Sequence, residues 1–137
     1  MTKLVLDANV VVRACQTLNG FDFFGDAELA APRLMWSEAR NTIRETLWRG
    51  AVDEGHATDS YRRLGSCPVK PVDHTGLHDE AWRISLEFGW ARTYDAEYVA
   101  LARLLGCRLV TLDGRLRRGA DRLGFVVGPA ELAATVP

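Results

Sequence analysis

The stretch "LVLD" near the start of the chain and the stretch "LVTLD" near its end set the first constraint on the fold. Each is an unbroken apolar run too short for a stable helix, and a run of this length reads as a buried strand. Between them lie segments with helical spacing. In "LMWSEARNTIRETLW" the residues Ala39, Ile43 and Leu47 recur one turn apart, with Thr42 and Thr46 beside them. Leu77, Ala81, Ile84 and Phe88 line one face of a second segment, and Ala96, Val99 and Ala100 one face of "YDAEYVALARLLG". Gly50, Gly89 and Gly106 stand where these helices should stop. Strands alternating with helices predict an α/β domain with a mostly parallel central sheet flanked by helices on both faces.

The first strand runs from Lys3 to Leu6, and "DANVVVRAC" begins a helix after a tight turn at Asp7. "NGFDFFGD" reads as a loop with a short apolar stretch, "ELAAP", behind it. "VDEGHATDSYRRL" reads as a helix, and "GSCPVKPV", with its two prolines, as a loop or an edge strand. "CRLVTL" is the strand before Asp113, "GRLRRGADRL" a basic helical stretch, "FVV" a last strand and "PAELAAT" a last turn of helix. At 137 residues, one domain over 1–137 is the simplest arrangement.

Each apolar run ends in a carboxylate, Asp7 or Asp113. In open parallel sheets, ligands bind beyond the carboxyl ends of the strands, so two strand-end acids meet there if their strands are neighbours. Asp95 begins a helix and Glu38 lies inside one. Taken singly, Asp7, Asp95 and Asp113 are equally well explained as helix caps or first-turn acids, and Glu38 as a solvated side chain. Together they can converge on one rim of a small sheet. Clustered carboxylates raise one another's pKa, and a divalent cation removes that repulsion. A set of carboxylates without His or Cys suits Mg²⁺ or Mn²⁺.

In this order and spacing, "LVLDANV", "LMWSEARNTI", "YDAEYVALARLLG" and "LVTLDGRL" resemble the four motifs of the PIN domain. More narrowly, the chain is similar to the VapC toxins of bacterial toxin–antitoxin pairs, which are single PIN domains. The resemblance covers essentially the whole chain, and "YDAEYVALA" followed by "LVTLD" is its most specific part. It implies an endoribonuclease dependent on Mg²⁺ or Mn²⁺, with RNA as substrate, a cognate antitoxin as partner and a homodimer as assembly. The family's acids map onto Asp7, Glu38, Asp95 and Asp113, with Asp7, Asp95 and Asp113 as metal ligands and Glu38 orienting the attacking water. The family commonly has Ser or Thr two positions after the first Asp; here Asn9 stands there, and an amide can still hold a water. Glu97 is an extra acid close by, better read as an exposed helix residue. The implied reaction expels the 3′ oxygen and leaves 5′-phosphate and 3′-hydroxyl ends.

The formal charge of -1 excludes coating of nucleic acid by charge alone. Setting the four acids aside leaves 17 basic against 14 acidic residues, a net of +3. Arg115, Arg117, Arg118 and Arg122 follow Asp113, and Arg40 and Arg44 lie close to Glu38 in sequence, so these are the candidate phosphate contacts. Three unpaired-looking cysteines, Cys15, Cys67 and Cys107, predict reduced thiols in a cytoplasmic protein. No apolar run approaches the ~18 residues of a membrane span, and no signal peptide is visible. His74 and His78 have zinc-pair spacing but lack the Glu of HExxH, which favours capping or surface roles. Trp36, Trp48, Trp82 and Trp90 suit core packing or a subunit interface, with base stacking as the alternative.

Other readings fit less well. A haloacid-dehalogenase-like phosphatase using Asp7 as phosphoacceptor would need a second Asp at Asn9. A receiver domain would need an acidic pair where "LVLDANV" supplies one acid. A dinucleotide binder would show GxGxxG after the first strand. A PIN-like module that holds RNA or an antitoxin without cutting would have little use for all four acids.

Overall fold

The computed structural model describes residues 2–134. Among these residues β1 (Lys3–Leu6), β2 (Glu28–Ala31), β3 (Val69–Pro71), β4 (Arg108–Val110) and β5 (Val126–Val127) form one all-parallel sheet in the order β3-β2-β1-β4-β5. The helices are α1 (Ala8–Cys15), α2 (Leu34–Trp48), α3 (Glu54–Gly65), α4 (Leu77–Phe88), α5 (Tyr94–Leu105), α6 (Gly114–Gly119) and α7 (Pro129–Ala134). The chain runs outward from β1 to β3, then returns across the sheet to β4 and continues outward to β5. Right-handed crossovers place α1, α2 and α3 on one face, and the reversal of direction places α4, α5 and α6 on the other. In keeping with this, α1 packs on α2 and α3, while α5 packs on α4, β1 and β4.

The reversal falls between β1 and β4, which is the point where an open parallel sheet leaves a crevice above its strand ends. In that pair Leu6 lies opposite Val110, so Asp7 and Thr111 leave the sheet at the same level. Both strands are apolar because both faces are covered: Val5, Leu6, Leu109 and Val110 are fully buried.

The helix and strand expectations hold, with three differences. The stretch "ELAAP" contains an interior strand, β2, between β1 and β3. Four residues are too few for a period to show, and the strand is recognisable only by the neighbours that cover it. "NGFDFFGD" contains a 3₁₀ turn, Gly20–Phe24, rather than an irregular loop. The expected strand "CRLVTL" is shorter, ending at Val110, because the residues after it turn into the site. "GSCPVKPV" supplies β3 at the sheet's edge, where Pro71 breaks no interior ladder. The expected last turn, "PAELAAT", is α7 as far as Ala134, and Thr135 lies outside the described residues. Among the described residues no helix is long and apolar enough to cross a membrane.

The 3₁₀ turn is pressed against the end of α1. A β-carbon on Gly20 would sit 1.9 Å from the carbonyl oxygen of Ala14. Gly20→Ala should therefore destabilise the fold by about 1–3 kcal/mol, the usual range for forced overpacking. Gly55→Ala, where the nearest atom is a side-chain oxygen 3.5 Å away, should be neutral or slightly stabilising. Urea denaturation of the two variants checks the contrast; equal effects would mean that the approach to Ala14 relaxes freely.

Candidate active site

Asp7 is the centre of the rim above β1 and β4. It is 6 % exposed and precedes α1 with extended backbone, φ -70° and ψ 154°. Its Oδ1 accepts the Ala8 N–H at 2.8 Å, and its Oδ2 accepts the Thr111 hydroxyl at 2.7 Å. Thr111 is itself buried, and its Oγ1 accepts the Asp113 N–H at 3.0 Å. One hydroxyl thus joins the end of β1 to the turn that carries Asp113. The residue directly level with Asp7 is Thr111; Asp113 follows after that turn.

Asn9 adds a second tie. Its Nδ2 donates to Asp7 Oδ2 at 3.4 Å, and its Oδ1 accepts the Leu112 N–H at 3.1 Å. Both ends of the Asn9 amide are thus bonded to protein, which ties Asp7 to the 111–113 turn, and one N–H and one lone pair remain for the water expected there. Asp113 does cap a helix, its Oδ1 accepting the N–H groups of Arg115 at 2.9 Å and Leu116 at 3.2 Å. The bonds use one oxygen and leave Oδ2 for the rim. Asp95 lies in the first turn of α5, one residue inside its start, and is not the capping residue, which is Thr93. Glu38, one turn into α2, is half-buried, and its Oε1 accepts the Tyr98 hydroxyl at 2.5 Å.

The charges of these acids act on one another. Burial pushes Asp7 up to about 6, against the bonds from Thr111 and Ala8; the charges of Asp95 and Glu38 push it further up. Loss of water raises Glu38, the Tyr98 bond opposes this, and Asp95 and Glu97 add to the rise. Asp95 is raised first by partial loss of water and then by Asp113, while the charge of Arg115 lowers it. Glu97 is raised by burial, with the charge of His78 pulling the other way. The four expected acids are thus brought to one rim, with Glu97 at its margin.

Among the described residues no three of His, Cys, Asp and Glu are gathered closely enough to enclose an ion. The donor set still fits Mg²⁺ or Mn²⁺ chemically. Mg²⁺ keeps several of its waters and needs only one or two carboxylates from the protein. A rim of hard oxygen donors, one of them buried and bonded by a hydroxyl and a backbone amide, meets that need.

The arginines divide. Arg115 faces Asp95 electrostatically, and Arg118 is exposed; among the described residues neither has an ion-pair partner. Arg117, also expected as a phosphate contact, pairs with Glu131 and ties α6 to α7. Arg122 pairs with Glu87 at 3.0 Å and lies 4.3 Å over the Phe88 ring. Arg40 is two residues from Glu38, and at 3.6 residues per turn it points to the far side of α2. Arg44 is likewise turned away from Glu38. His74 accepts the Gly76 N–H through Nδ1 at 3.0 Å, a turn-closing role. The cysteines are free thiols, and burial pushes Cys15 up to about 12, which makes it inert at neutral pH.

Sequence patterns gave no notice of Thr111 or Tyr98. Their signal was indirect: a hydroxyl inside an otherwise apolar strand end, and a phenol on the face of α5 that enters the core. Each is buried, and each donates to an acid that had been recognised.

The profile of the PIN domain family matches residues 4–122. The chain belongs to the PIN domain family. This PIN domain is 38% identical over 91 residues to Ribonuclease VapC9 of Mycobacterium tuberculosis (strain ATCC 25618 / H37Rv), covering 64% of this chain and 67% of that protein. The same figures describe its similarity to VapC ribonuclease Mb0985 of Mycobacterium bovis. Among solved folds it resembles the crystal structure of PAE2754 from Pyrobaculum aerophilum, with a TM-score of 0.74 and 25% identity, over 96% of this chain and 92% of that one.

The burial of Asp7 predicts how the metal-free PIN domain responds to pH. Asp7 has an ordinary value of 3.8 and rises to about 6 in the fold. Between these values the folded chain binds the proton more than the unfolded chain does. Its contribution to stability is therefore full below about pH 4 and is lost as pH rises through about 6. The loss is of order 3 kcal/mol at most. Measured by urea denaturation of chelated protein, Asp7→Asn should gain on wild type between about pH 4 and about pH 8. A difference that stays constant over that range would show that Asp7 carries no burial penalty.

Proposed function

We propose that this chain is a divalent-metal-dependent endoribonuclease and the toxin of a VapBC-type pair. The observation that carries the reading is that Thr111 ties Asp7 to the turn bearing Asp113, while Tyr98 ties Glu38 to the helix bearing Asp95, at the sheet's switch point. A rim of mutually repelling acids lowers stability without a cation, so its presence calls for a use. Membership of the PIN family and similarity to proteins named VapC ribonucleases support the same activity.

Asp7, Asp95 and Asp113 would hold the Mg²⁺ or Mn²⁺. When bound, the ion would lower the pKa of the attacking water and neutralise charge developing on the phosphate. Glu38 keeps Oε2 for the attacking water, since Oε1 is taken by Tyr98. It receives the water's proton as the oxygen attacks phosphorus. The bond from phosphorus to the 3′ oxygen breaks in line, and that oxygen takes a proton from solvent, leaving 5′-phosphate and 3′-hydroxyl ends. Arg115, in the first turn of α6 after Asp113, and Arg118, in its last turn, draw the RNA backbone to an otherwise acidic centre.

An apolar groove of about 650 Å³, lined by Val10, Ala14, Phe23, Phe24, Leu112 and Pro129, opens beside the rim. Leu112 belongs both to the groove and to the turn held by Asn9, and the groove is the place proposed for an antitoxin segment. Exposed Trp82 and Leu86, one turn apart on α4, are the apolar surface proposed for a homodimer. The cytoplasm is its proposed compartment, in accord with the free thiols.

Asp7→Asn, Asp95→Asn and Asp113→Asn should each remove most Mg²⁺- or Mn²⁺-dependent cleavage of single-stranded RNA, with fragment ends read by sequencing. At a free metal concentration ~100 times its dissociation constant, wild type should also gain roughly 2.7 kcal/mol of stability and Asp7→Asn much less. Near wild-type cleavage by Asp7→Asn would remove the chemical basis of the reading.

The division among the arginines gives a separate test. Replacing Arg115 and Arg118 together by Ala should flatten the salt dependence of RNA binding by roughly 0.7 in log–log slope per lost contact. Arg117→Ala should leave the slope unchanged, because that charge is paired with Glu131. Fluorescence titration of inactive Asp7→Asn protein at several salt concentrations measures both. An unchanged slope in the double variant would return Arg115 and Arg118 to an ordinary solvated face.

A further inference from the structure

We infer that Tyr98 is a positioning residue for the proposed reaction: its buried hydroxyl holds the Glu38 carboxylate in the orientation that receives the proton of the attacking water. The inference rests on the nuclease reading and adds to it a residue outside the acidic set.

Tyr98 is 0 % exposed and lies on α5 one turn after Asp95. Side chains on a helix lean toward its N-terminus, so the ring runs back beneath Asp95 and delivers its hydroxyl to the rim. The ring alone fills the core, and phenylalanine would fill the same space without a polar atom to satisfy. What the hydroxyl adds, besides a contact with the Ala8 backbone, is the bond to Glu38 Oε1 at 2.5 Å, the length of a hydroxyl bonded to a charged carboxylate. Glu38 comes from α2, on the opposite face of the sheet, sixty residues earlier in sequence. The bond therefore crosses above the strand ends, next to Asp7.

A glutamate on a helix surface loses considerable rotamer freedom when it is fixed. On the solvent side of α2, Asn41 and Glu45 bond each other, and Thr42 and Thr46 bond carbonyls of their own helix. The restraint on Glu38 comes from Tyr98. It occupies Oε1 and directs Oε2 to the rim, and misplacing a reacting group by about 1 Å can lower a rate 100-fold. Tyr98 does not itself exchange the proton. Burial and the neighbouring Glu38 both raise its pKa, so at neutral pH it donates a hydrogen bond and keeps its proton.

The test is a double-mutant cycle on single-stranded RNA in Mg²⁺, with wild type, Tyr98→Phe, Glu38→Ala and the double variant. Tyr98→Phe should lower kcat about 10- to 100-fold with little change in KM. In the Glu38→Ala background the same change should have no further effect on kcat. Glu38→Asp, which withdraws the carboxylate from the hydroxyl and leaves Tyr98 packed, should lower kcat likewise and serves if Tyr98→Phe does not fold. In metal-free wild type, NMR should show a downfield, slowly exchanging hydroxyl proton of Tyr98 that disappears in Glu38→Ala. Full kcat in Tyr98→Phe or Glu38→Asp, an equal loss with and without Glu38, or absence of that resonance would each overturn the role. Wild type that cleaves no RNA in Mg²⁺ or Mn²⁺ would overturn the nuclease reading, and this role with it. Cleavage by wild type matched by Tyr98→Phe would overturn this role alone.

Discussion

The hydrogen bond from Thr111 to Asp7 is the contact on which the rest of this molecule depends. It exists because β1 and β4 are neighbours in register, although 104 residues separate the two partners. A buried carboxylate is tolerable only with donors at hand. Here the backbone of α1 supplies one and the end of β4 another. The same two donors hold down the pKa that burial drives up, so the fold determines how much of Asp7 is charged.

Around that bond, helix starts are used twice over. Asp7 and Asp113 each satisfy amides at the beginning of a helix and also face the rim. The alternatives of cap and site were therefore never exclusive. A carboxylate has two oxygens, and Asp113 spends one on α6 while the other remains available. This economy is possible because helices in a parallel sheet begin just above the strand ends, where the crevice lies. Repulsion among the acids is distributed over four elements, and no single helix or strand bears all of it.

Much of this was legible in the sequence because the relevant forces are local. The span of α2 follows from its apolar spacing and the glycine after it, and Gly106 closes α5 with φ 66°, as a residue at that position should. The acids were legible because a charge at the end of an apolar strand is conspicuous. Less visible was anything that depends on a distant partner. Neither the pairing of Arg117 with Glu131 nor the bond from the Leu112 amide to Asn9 can be read from neighbouring residues. Tyr98 reads as core filling, since nothing near it in sequence reveals that Glu38 waits on the opposite face. The strand β2 escaped notice for the same reason: three buried residues between two strands have no periodic signature.

The reversal of strand order has a consequence for the newborn protein. Domains fold as their segments leave the ribosome, and pairing between distant segments waits for the later one. Three of the five strands belong to the first 71 residues, yet the seam that makes the rim requires β4, beginning at Arg108. A nascent chain shorter than that has Asp7 and Glu38 but neither Thr111 nor Asp113. Under the proposed function, the polypeptide stays harmless to RNA until β4 and the turn that carries Asp113 have been made and have paired with β1.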